Sequence, residues 1–248
     1  MTQTTQTGNG GAPLRALILQ HEEPTPPGLV GDWLREHGTQ VETFRIDLEE
    51  QLPDPTDYGL VVSLGSEFAA FDDHLPFVTR EAELMRGALD ADVPILGLCF
   101  GGQMLARVLG AQVSRSEESE IGWLPVRSKD PELVPEGPWF QWHFDVFDAP
   151  PGAEVIAETD LCPQAFVWGR SLGLQFHPEV TQAIMDDWIR VYRHELDHDG
   201  VDPDELLAET RRRIADSNRM ARQLFERFLQ RVAGTPADET ASEGTGAA

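Results

Sequence analysis

PILGLCFGGQ, residues 94–103, is the segment from which the architecture of this chain can be predicted. Residues 94–99 form a short apolar run of strand length, and residues 101–109 resume helical spacing. The turn between them carries Cys99 among three glycines. A nucleophile on such a strand-to-helix turn projects from the sheet edge, and the helix N-terminus favours thiolate over thiol. A buried structural cysteine beside a tight glycine turn is the alternative.

The segments on either side alternate between apolar runs of strand length and stretches of helical spacing. The predicted strands are 14–20, 40–46, 58–64 and 94–99, and the predicted helices are 29–37, 75–89 and 101–109. This order predicts an α/β fold. We expect a doubly wound, flavodoxin-like three-layer sandwich with a central, mostly parallel (mixed) sheet.

After Gly110 the pattern changes to short strands between Pro, Gly and Asp turns. These strands are predicted at 111–116, 122–127, 139–147, 154–159, 165–169 and 172–176. We expect antiparallel hairpins packed on or extending the same sheet, followed by C-terminal helices at 181–198 and 204–232. One domain is predicted over 13–233, with a disordered leader at 1–12 and a disordered tail at 234–248.

The composition of the chain excludes several classes of function. Its 248 residues include 19 basic and 43 acidic side chains, which gives a net charge of −24 at pH 7. A surface this negative repels phosphate groups, so nucleic acid and anionic membranes are excluded as partners. The sequence lacks an apolar run near the roughly 20 residues of a membrane span. Because the two cysteines cannot form a disulfide scaffold, we expect a reducing compartment and a cytoplasmic protein. We also expect the protein to need no metal or other cofactor.

Two further strand ends carry groups that suit a thiol nucleophile. LGLQFHPE, residues 172–179, places His177 at the end of a predicted strand, with Glu179 two positions on. A thiolate needs a base, and the base needs an orienting acceptor; a surface turn is the alternative interpretation. VVSLGS, residues 61–66, runs into Gly65, whose N–H can act with that of Phe100 on an oxyanion. Because ligands collect at the carboxyl ends of parallel strands, we expect these groups to lie together.

Together these motifs resemble the class I, triad-type glutamine amidotransferases over roughly residues 14–181. The resemblance rests on the G-x-C-x-G-G-Q turn, the F-H-P-E strand end, the turn at Gly65 and the E-I-G-W segment at 120–123. It is greatest to stand-alone members akin to the glutaminase domain of GMP synthase. The resemblance implies a triad in which Cys99 attacks the side-chain amide of glutamine, His177 transfers protons and Glu179 fixes the His tautomer.

The resemblance also implies groups around the substrate. The N–H groups of Gly65 and Phe100 would hold the oxyanion, and Gln103 matches a family position that touches the bound glutamine. QWHFD, residues 141–145, is similar to the family's His-Gly-Asp stretch beside the substrate, with His143 in place but Phe144 where a glycine is usual. A phenyl ring there implies a locally rearranged strand or a pocket of different shape.

Three hypotheses of function follow. The first is a glutamine amidotransferase or glutaminase that forms a cysteinyl thioester. Because the sequence lacks a glycine-rich phosphate-binding loop for a synthetase half, we expect the ammonia to go to a separate synthetase subunit. The second, motivated by Phe144, is a γ-glutamyl amide or peptide hydrolase with the same triad. The third is a non-enzymatic regulatory protein on the same scaffold, motivated by the acidic surface and the C-terminal helices.

Other sequence features are weaker signals. HELDH, residues 194–198, matches the H-E-x-x-H zinc pattern, but its charged flanks and the nearby helix end favour histidines that complement the helix dipole. We expect the arginines at 211–213 to pair with Glu205, Glu209 and Asp216 rather than with nucleic acid. Cys162 has no base partner in view and is interpreted as a small buried or loop residue.

Overall fold

The structure is a computed structural model that describes residues 13–49 and 51–234. Within these ranges helices cover both faces of a large sheet, and a two-stranded ribbon lies beside it. In chain order the elements are β1 (Arg15–Gln20), α1 (Gly28–Glu36), β2 (Gln40–Arg45), β3 (Leu60–Ser63), α2 (Pro76–Asp90), β4 (Ile95–Leu98), α3 (Phe100–Val108), β5 (Val113–Leu124), β6 (Arg127–Ser128), β7 (Trp139–Phe147), β8 (Glu154–Glu158), β9 (Pro163–Trp168), β10 (Ser171–Leu174), α4 (Gln182–Val191), α5 (Arg193–Asp199) and α6 (Pro203–Arg227).

The main sheet has the strand order β2-β1-β3-β4-β10-β9-β8-β6. Its first five strands are parallel, and β9, β8 and β6 continue it as antiparallel strands. The parallel part has the order of flavodoxin-like sheets, in which ligands bind at the carboxyl ends of the strands. The predicted α/β architecture is confirmed.

Two apolar layers hold the sheet between its helices. Ile18 and Val62 face one layer, where Phe225 of α6 packs, whereas Val61 faces the other, where Met104 of α3 packs. Successive residues of a strand point to opposite faces, so a strand between two helical layers is apolar at every position. This burial explains the continuous apolar run that predicted β3.

The described part of the chain departs from the sequence predictions in three places. The strands predicted at 111–116 and 122–127 are joined in one strand, β5 (Val113–Leu124), whose register shifts between Arg115 and Glu120, and Arg127 belongs to β6. β5 pairs with β7 in a separate ribbon rather than in the main sheet. The helix predicted over 181–198 is two helices, because Tyr192 leaves helical geometry with φ −99° and ψ 26°.

The predicted leader at 1–12, and the predicted tail apart from Gly234, lie outside the described residues. Among the helices that are described, none has both the length and the apolar character needed to cross a bilayer.

Candidate active site

Cys99 lies on the turn between β4 and α3 in a backbone conformation that residues other than glycine rarely adopt. Its φ is +49° and its ψ is −104°, and its side chain is buried. Strain of this kind costs about 1–3 kcal/mol and is concentrated at functional sites. The Cys99 N–H donates to the Leu174 carbonyl at 2.8 Å, which ties the turn to the end of β10. Because α3 begins at the next residue, Cys99 lies at the positive end of that helix.

Gly101 and Gly102 allow α3 to approach the sheet closely enough to place Cys99 there. A Cβ on Gly101 would overlap the carbonyl of Ser63, and one on Gly102 would overlap the carbonyl of Leu174. These carbonyls lie at the ends of β3 and β10. The glycines of the sequence motif are therefore explained by the contact of a helix with two strand ends.

His177 and Glu179 lie just past the end of β10 and approach Cys99 from the side. Nδ1 of His177 lies 2.8 Å from Oε1 of Glu179, and both side chains are buried. Nε2 of His177 has no hydrogen-bond partner within the described residues. A Cβ built on Gly65 would lie 3.0 Å from Cε1 of His177 and 3.8 Å from Cβ of Cys99. Three segments that are far apart in the sequence thus meet at one edge of the sheet.

The pKa of His177 is raised well above its ordinary value of 6.5. Burial by itself lowers this pKa, but the charges of Glu179 and of the Cys99 sulfur, together with hydrogen bonding, outweigh it. The shift favours the protonated form of the ring. A general acid for a departing amine needs that proton.

The sulfur of Cys99 lies 3.7 Å from Nε2 of Gln175 and 3.9 Å from the carbonyl oxygen of Trp142. Nε2 of His177 makes no hydrogen bond to this sulfur in the structure, although the charge of the sulfur raises the pKa of His177. Catalytic hydrogen bonds are often loose before substrate binds and tighten in the complex.

The N–H groups of Gly65 and Phe100 are free to bind an anion. Neither donates a hydrogen bond to any group that the structure describes. The Leu64 carbonyl accepts from Gly101 N–H at 3.1 Å, and in a trans peptide this directs the Gly65 N–H the opposite way. Phe100 is the first residue of α3, where an N–H lacks an acceptor within the helix.

Gln103, His143 and Phe144, the residues predicted to bind substrate, all line the cleft that contains Cys99 and His177. Nε2 of Gln103 donates to the Asp145 carbonyl at 2.9 Å, and Nδ1 of His143 lies 3.1 Å from the same oxygen. Nε2 of His143 lies 3.0 Å from Oε2 of Glu120. Both ring nitrogens of His143 are thus engaged by protein groups.

Phe144 lines the cleft and packs against a cation there. The guanidinium of Arg115 lies 4.4 Å from the centre of its ring, and the same guanidinium lies 3.4 Å from Oδ1 of Asp145. Phe144 lies where the register of the ribbon shifts, because Asp145 pairs with Arg115 and His143 pairs with Glu120. The extra residues of β5 therefore lie opposite Phe144, and the phenyl ring contacts Arg115 at the cleft.

The structure adds residues that the sequence analysis did not select. Trp142 Nε1 donates to Oε2 of Glu195 at 2.6 Å, and burial raises the pKa of Glu195. Glu195 belongs to the HELDH segment, which matches the H-E-x-x-H zinc pattern, and His198 of that segment is exposed. The cleft is lined by Thr25, Gly65, Ser66, Glu67, Phe68, Cys99, Gln103, Arg115, Trp142, His143, Phe144, Asp145, His177, Trp188, Tyr192 and Glu195.

One group of donors within the described residues has the spacing of metal ligands. Ligand atoms of Glu120, His143 and Cys162 lie within 4.8 Å of one another. Nε2 of Gln164 donates to Oε2 of Glu120 at 2.7 Å and lies 3.4 Å from the Cys162 sulfur. Burial raises the pKa of Cys162 to about 12, which disfavours the thiolate that a metal binds. The cluster is satisfied by its own hydrogen bonds, and Cys162 is buried as expected.

The arginine triplet at 211–213 behaves only partly as expected. Arg213 Nε pairs with Oε1 of Glu209 at 2.7 Å. Asp216 pairs instead with Arg219, also at 2.7 Å.

A doubly wound α/β fold with a cysteine on a strand-to-helix turn and a histidine–carboxylate pair beside it defines a class of thiol enzyme. The protein-family description "Glutamine amidotransferase class-I" matches residues 30–189. The chain therefore belongs to the class I glutamine amidotransferase family, whose members are cysteine-nucleophile amidohydrolases.

Curated relatives and solved structures agree with this assignment. The glutamine-hydrolyzing GMP synthase of Vibrio vulnificus is 33% identical over 164 residues, which are 62% of this chain and 30% of that protein. The corresponding enzyme of Aeropyrum pernix is 36% identical over 125 residues, 45% of this chain and 24% of that protein. The chain thus spans about a third or less of the length of these relatives.

Two crystal structures match most of the chain. A glutamine amidotransferase of Thermotoga maritima has a TM-score of 0.82 at 35% identity, covering 89% of this chain and 100% of that one. A glutamine amidotransferase of Methylobacillus flagellatus has a TM-score of 0.80 at 29% identity, covering 88% and 94%.

Proposed function

We propose that this protein hydrolyses the side-chain amide of glutamine through a thioester at Cys99 and supplies the ammonia to a separate synthetase. The observation that carries the proposal is the meeting of Cys99, the His177–Glu179 pair and Gly65 at one strand edge. The names of the relatives support it, because several are GMP synthases described as glutamine-hydrolyzing. That a separate synthetase accepts the ammonia is part of this proposal.

In the first half of the reaction the Cys99 sulfur, having given its proton to His177, attacks the amide carbon of glutamine. The developing oxyanion accepts hydrogen bonds from the N–H groups of Gly65 and Phe100. His177 Nε2 then donates its proton to the amide nitrogen, the C–N bond breaks and ammonia leaves. A glutamyl thioester remains on Cys99.

In the second half, water attacks the thioester carbon while Nε2 of His177 accepts a proton from it. The C–S bond breaks, glutamate leaves and the thiol of Cys99 is restored. Glu179 accepts from Nδ1 throughout, at 2.8 Å, and so keeps Nε2 directed at the reacting atoms.

Arg115 and Asp145 suit the amino-acid end of the substrate. The guanidinium lies 3.4 Å from the Asp145 carboxylate at the cleft, and burial raises the pKa of Asp145. We assign the α-carboxylate of glutamine to Arg115 and its α-ammonium group to Asp145, because a zwitterion satisfies both charges.

Release of glutamate from glutamine by the purified protein tests the proposed function. We expect turnover by the wild type and by Cys162→Ala, and loss of turnover in Cys99→Ala. Absence of wild-type turnover, or equal turnover in Cys99→Ala, would contradict the proposal.

A γ-glutamyl amide with a larger substituent is the second candidate substrate. The lining of the cleft includes the aromatic residues Phe68, Trp142, Phe144, Trp188 and Tyr192. The only apolar part of glutamine is the pair of side-chain methylene groups, which is small compared with such a lining. Comparing kcat/KM on glutamine with that on γ-glutamyl anilides separates the candidates, and a strong preference for glutamine removes the second.

A further inference from the structure

His21 and Glu81 form a buried pair behind the loop that carries Gly65. Nε2 of His21 lies 2.7 Å from Oε2 of Glu81, and both side chains are 0% exposed. His21 follows β1 and Glu81 lies in α2, so the pair joins elements that are distant in the sequence. A buried ion pair is weak evidence for stability, because desolvation of the two charges opposes their attraction. Its position suggests another role.

The other nitrogen of His21 contacts the proposed oxyanion loop. Nδ1 of His21 lies 3.1 Å from the carbonyl oxygen of Gly65. A carbonyl only accepts hydrogen bonds, so Nδ1 carries a proton. On the far side, Ser63 Oγ donates to Oε1 of Glu81 at 2.5 Å. A continuous chain of hydrogen bonds therefore runs from Ser63 through Glu81 and His21 to Gly65.

The charges of His21 and Glu81 agree with this series of hydrogen bonds. Burial lowers the pKa of His21, but the charge of Glu81 and its hydrogen bond outweigh burial and raise the pKa overall. With both nitrogens protonated, His21 donates to Glu81 and to Gly65 at the same time.

Gly65 needs such an anchor because it has no side chain of its own to hold it. A Cβ there would lie 3.0 Å from Cε1 of His177, so the contact with the imidazole favours glycine. Glycine is also the residue with the greatest backbone freedom. The peptide before Gly65 is fixed by the bond from Gly101 N–H to the Leu64 carbonyl, and the peptide after it by His21.

We propose that His21, held by Glu81, is a positioning residue that fixes the backbone of Gly65 so that its N–H meets the oxyanion of the transition state. The proposal rests on the proposed function, since it requires an acyl-transfer reaction. His21 is fully buried and is not part of the cleft lining, so it acts on substrate only through Gly65. A donor fixed before the reaction stabilises developing charge without the cost of reorganisation.

Two conservative variants separate the two hydrogen bonds of His21. In His21→Asn the amide nitrogen occupies the position of Nδ1 and keeps the bond to Gly65, whereas in His21→Gln it occupies the position of Nε2 and keeps the bond to Glu81. Removal of an oxyanion donor lowers kcat by about 10²–10³. Because misplacing the donor is milder, we expect His21→Gln to lower kcat on glutamine about 10-fold to 100-fold, with KM within about twofold.

His21→Asn is the matched control, and we expect its kcat within about threefold of the wild type. Each variant leaves one buried partner unsatisfied, so thermal melts should show similar losses of stability for the two. Equal loss of kcat in both variants, or a greater loss in His21→Asn, would overturn the proposal. A wild type without glutaminase activity would instead overturn the proposed function, so the two failures are distinguishable.

The tautomer of His21 gives a second test on the unmodified protein, which applies even if the variants fail to fold. Nitrogen-15 NMR of the imidazole reports the protonation of each ring nitrogen. We expect a protonated Nδ1 that is protected from exchange with solvent. An unprotonated Nδ1 cannot donate to the Gly65 carbonyl and would overturn the proposal.

Discussion

Glu179 sets the protonation of His177, and this coupling gives a pH prediction. Because the pKa of His177 is raised above 6.5, the protonated ring persists above that pH, and activity should fall as pH rises through the raised pKa. Glu179→Gln removes the largest contribution that raises this pKa. We expect the alkaline limb of kcat/KM to move to lower pH, with a fall in kcat of about 10²–10⁴.

A pH–rate profile on glutamine measures both effects. Glu195→Gln is the matched control, because Glu195 is a half-buried carboxyl group of the same cleft that bonds to Trp142 rather than to His177. Its alkaline limb should match that of the wild type. An unmoved limb in Glu179→Gln would show that Glu179 does not control the proton of His177.

Phe144 holds Arg115, so it should affect substrate binding more than chemistry. A cation–π contact at a partly exposed site is worth about 0.5–1 kcal/mol. We expect Phe144→Gly to raise KM for glutamine about 2-fold to 5-fold, with kcat nearly unchanged. Phe68→Ala, which removes another aromatic ring of the cleft, is the control. A fall in kcat at constant KM would contradict the role given to Phe144.

Short local motifs predicted some residues of the candidate site, whereas others could not be predicted from the local sequence. Cys99 and His177 each follow a strand within a few residues, so the sequence alone placed both at one sheet edge. Arg115 lies next to the register shift of β5, and Glu195 follows the break in the helix at Tyr192. Neither irregularity has a local sequence signal that hydrophobic periodicity detects.

Among the elements, the contact of α3 with the strand ends is the one most sensitive to added volume. Gly102 lies against the Leu174 backbone, so Gly102→Ala forces α3 away from β10. Overpacking of this kind costs about 1–3 kcal/mol. We expect that decrease in the free energy of unfolding, measured by urea denaturation.

Gly87 in α2 offers the matched control for this substitution. A Cβ there would meet only Pro55 Cγ, at 3.5 Å, and the position is inside a helix. Gly87→Ala should therefore raise the free energy of unfolding by about 0.5–1 kcal/mol. If both variants change stability by the same amount and in the same direction, the account of the α3 contact is wrong.

The parallel strands and the strands β7 to β10 could be predicted one by one, whereas β5 could not. Strands such as β3 are buried on both faces, and their unbroken apolar runs are unambiguous. β5 has mostly polar residues in its middle and belongs to a two-stranded ribbon, so its pattern indicated two short strands. Long-range pairing, rather than local sequence, decides which sheet such a strand joins.

For the molecule as a whole, the net charge of −24 predicts a dependence of stability on salt. Like charges repel in the compact state, and salt screens them over a Debye length of about 10 Å at 0.1 M and about 3 Å at 1 M. We expect Tm to rise between about 0.1 M and 1 M NaCl.

The expected single domain over 13–233, which stays a prediction, requires one cooperative unfolding transition. A Tm that falls with salt, or two separate transitions, would contradict these expectations.

The identity of the nucleophile is the claim on which the proposed function depends, and covalent trapping tests it most directly. A diazoketone analogue of glutamine alkylates the attacking sulfur with loss of dinitrogen, and peptide mass spectrometry locates the adduct. The chain offers two cysteines, and Cys162 serves as the internal control because burial raises its pKa to about 12. We predict one adduct per chain, on Cys99, prevented by excess glutamine. An unlabelled protein, or an adduct on Cys162 alone, would contradict the assignment of Cys99.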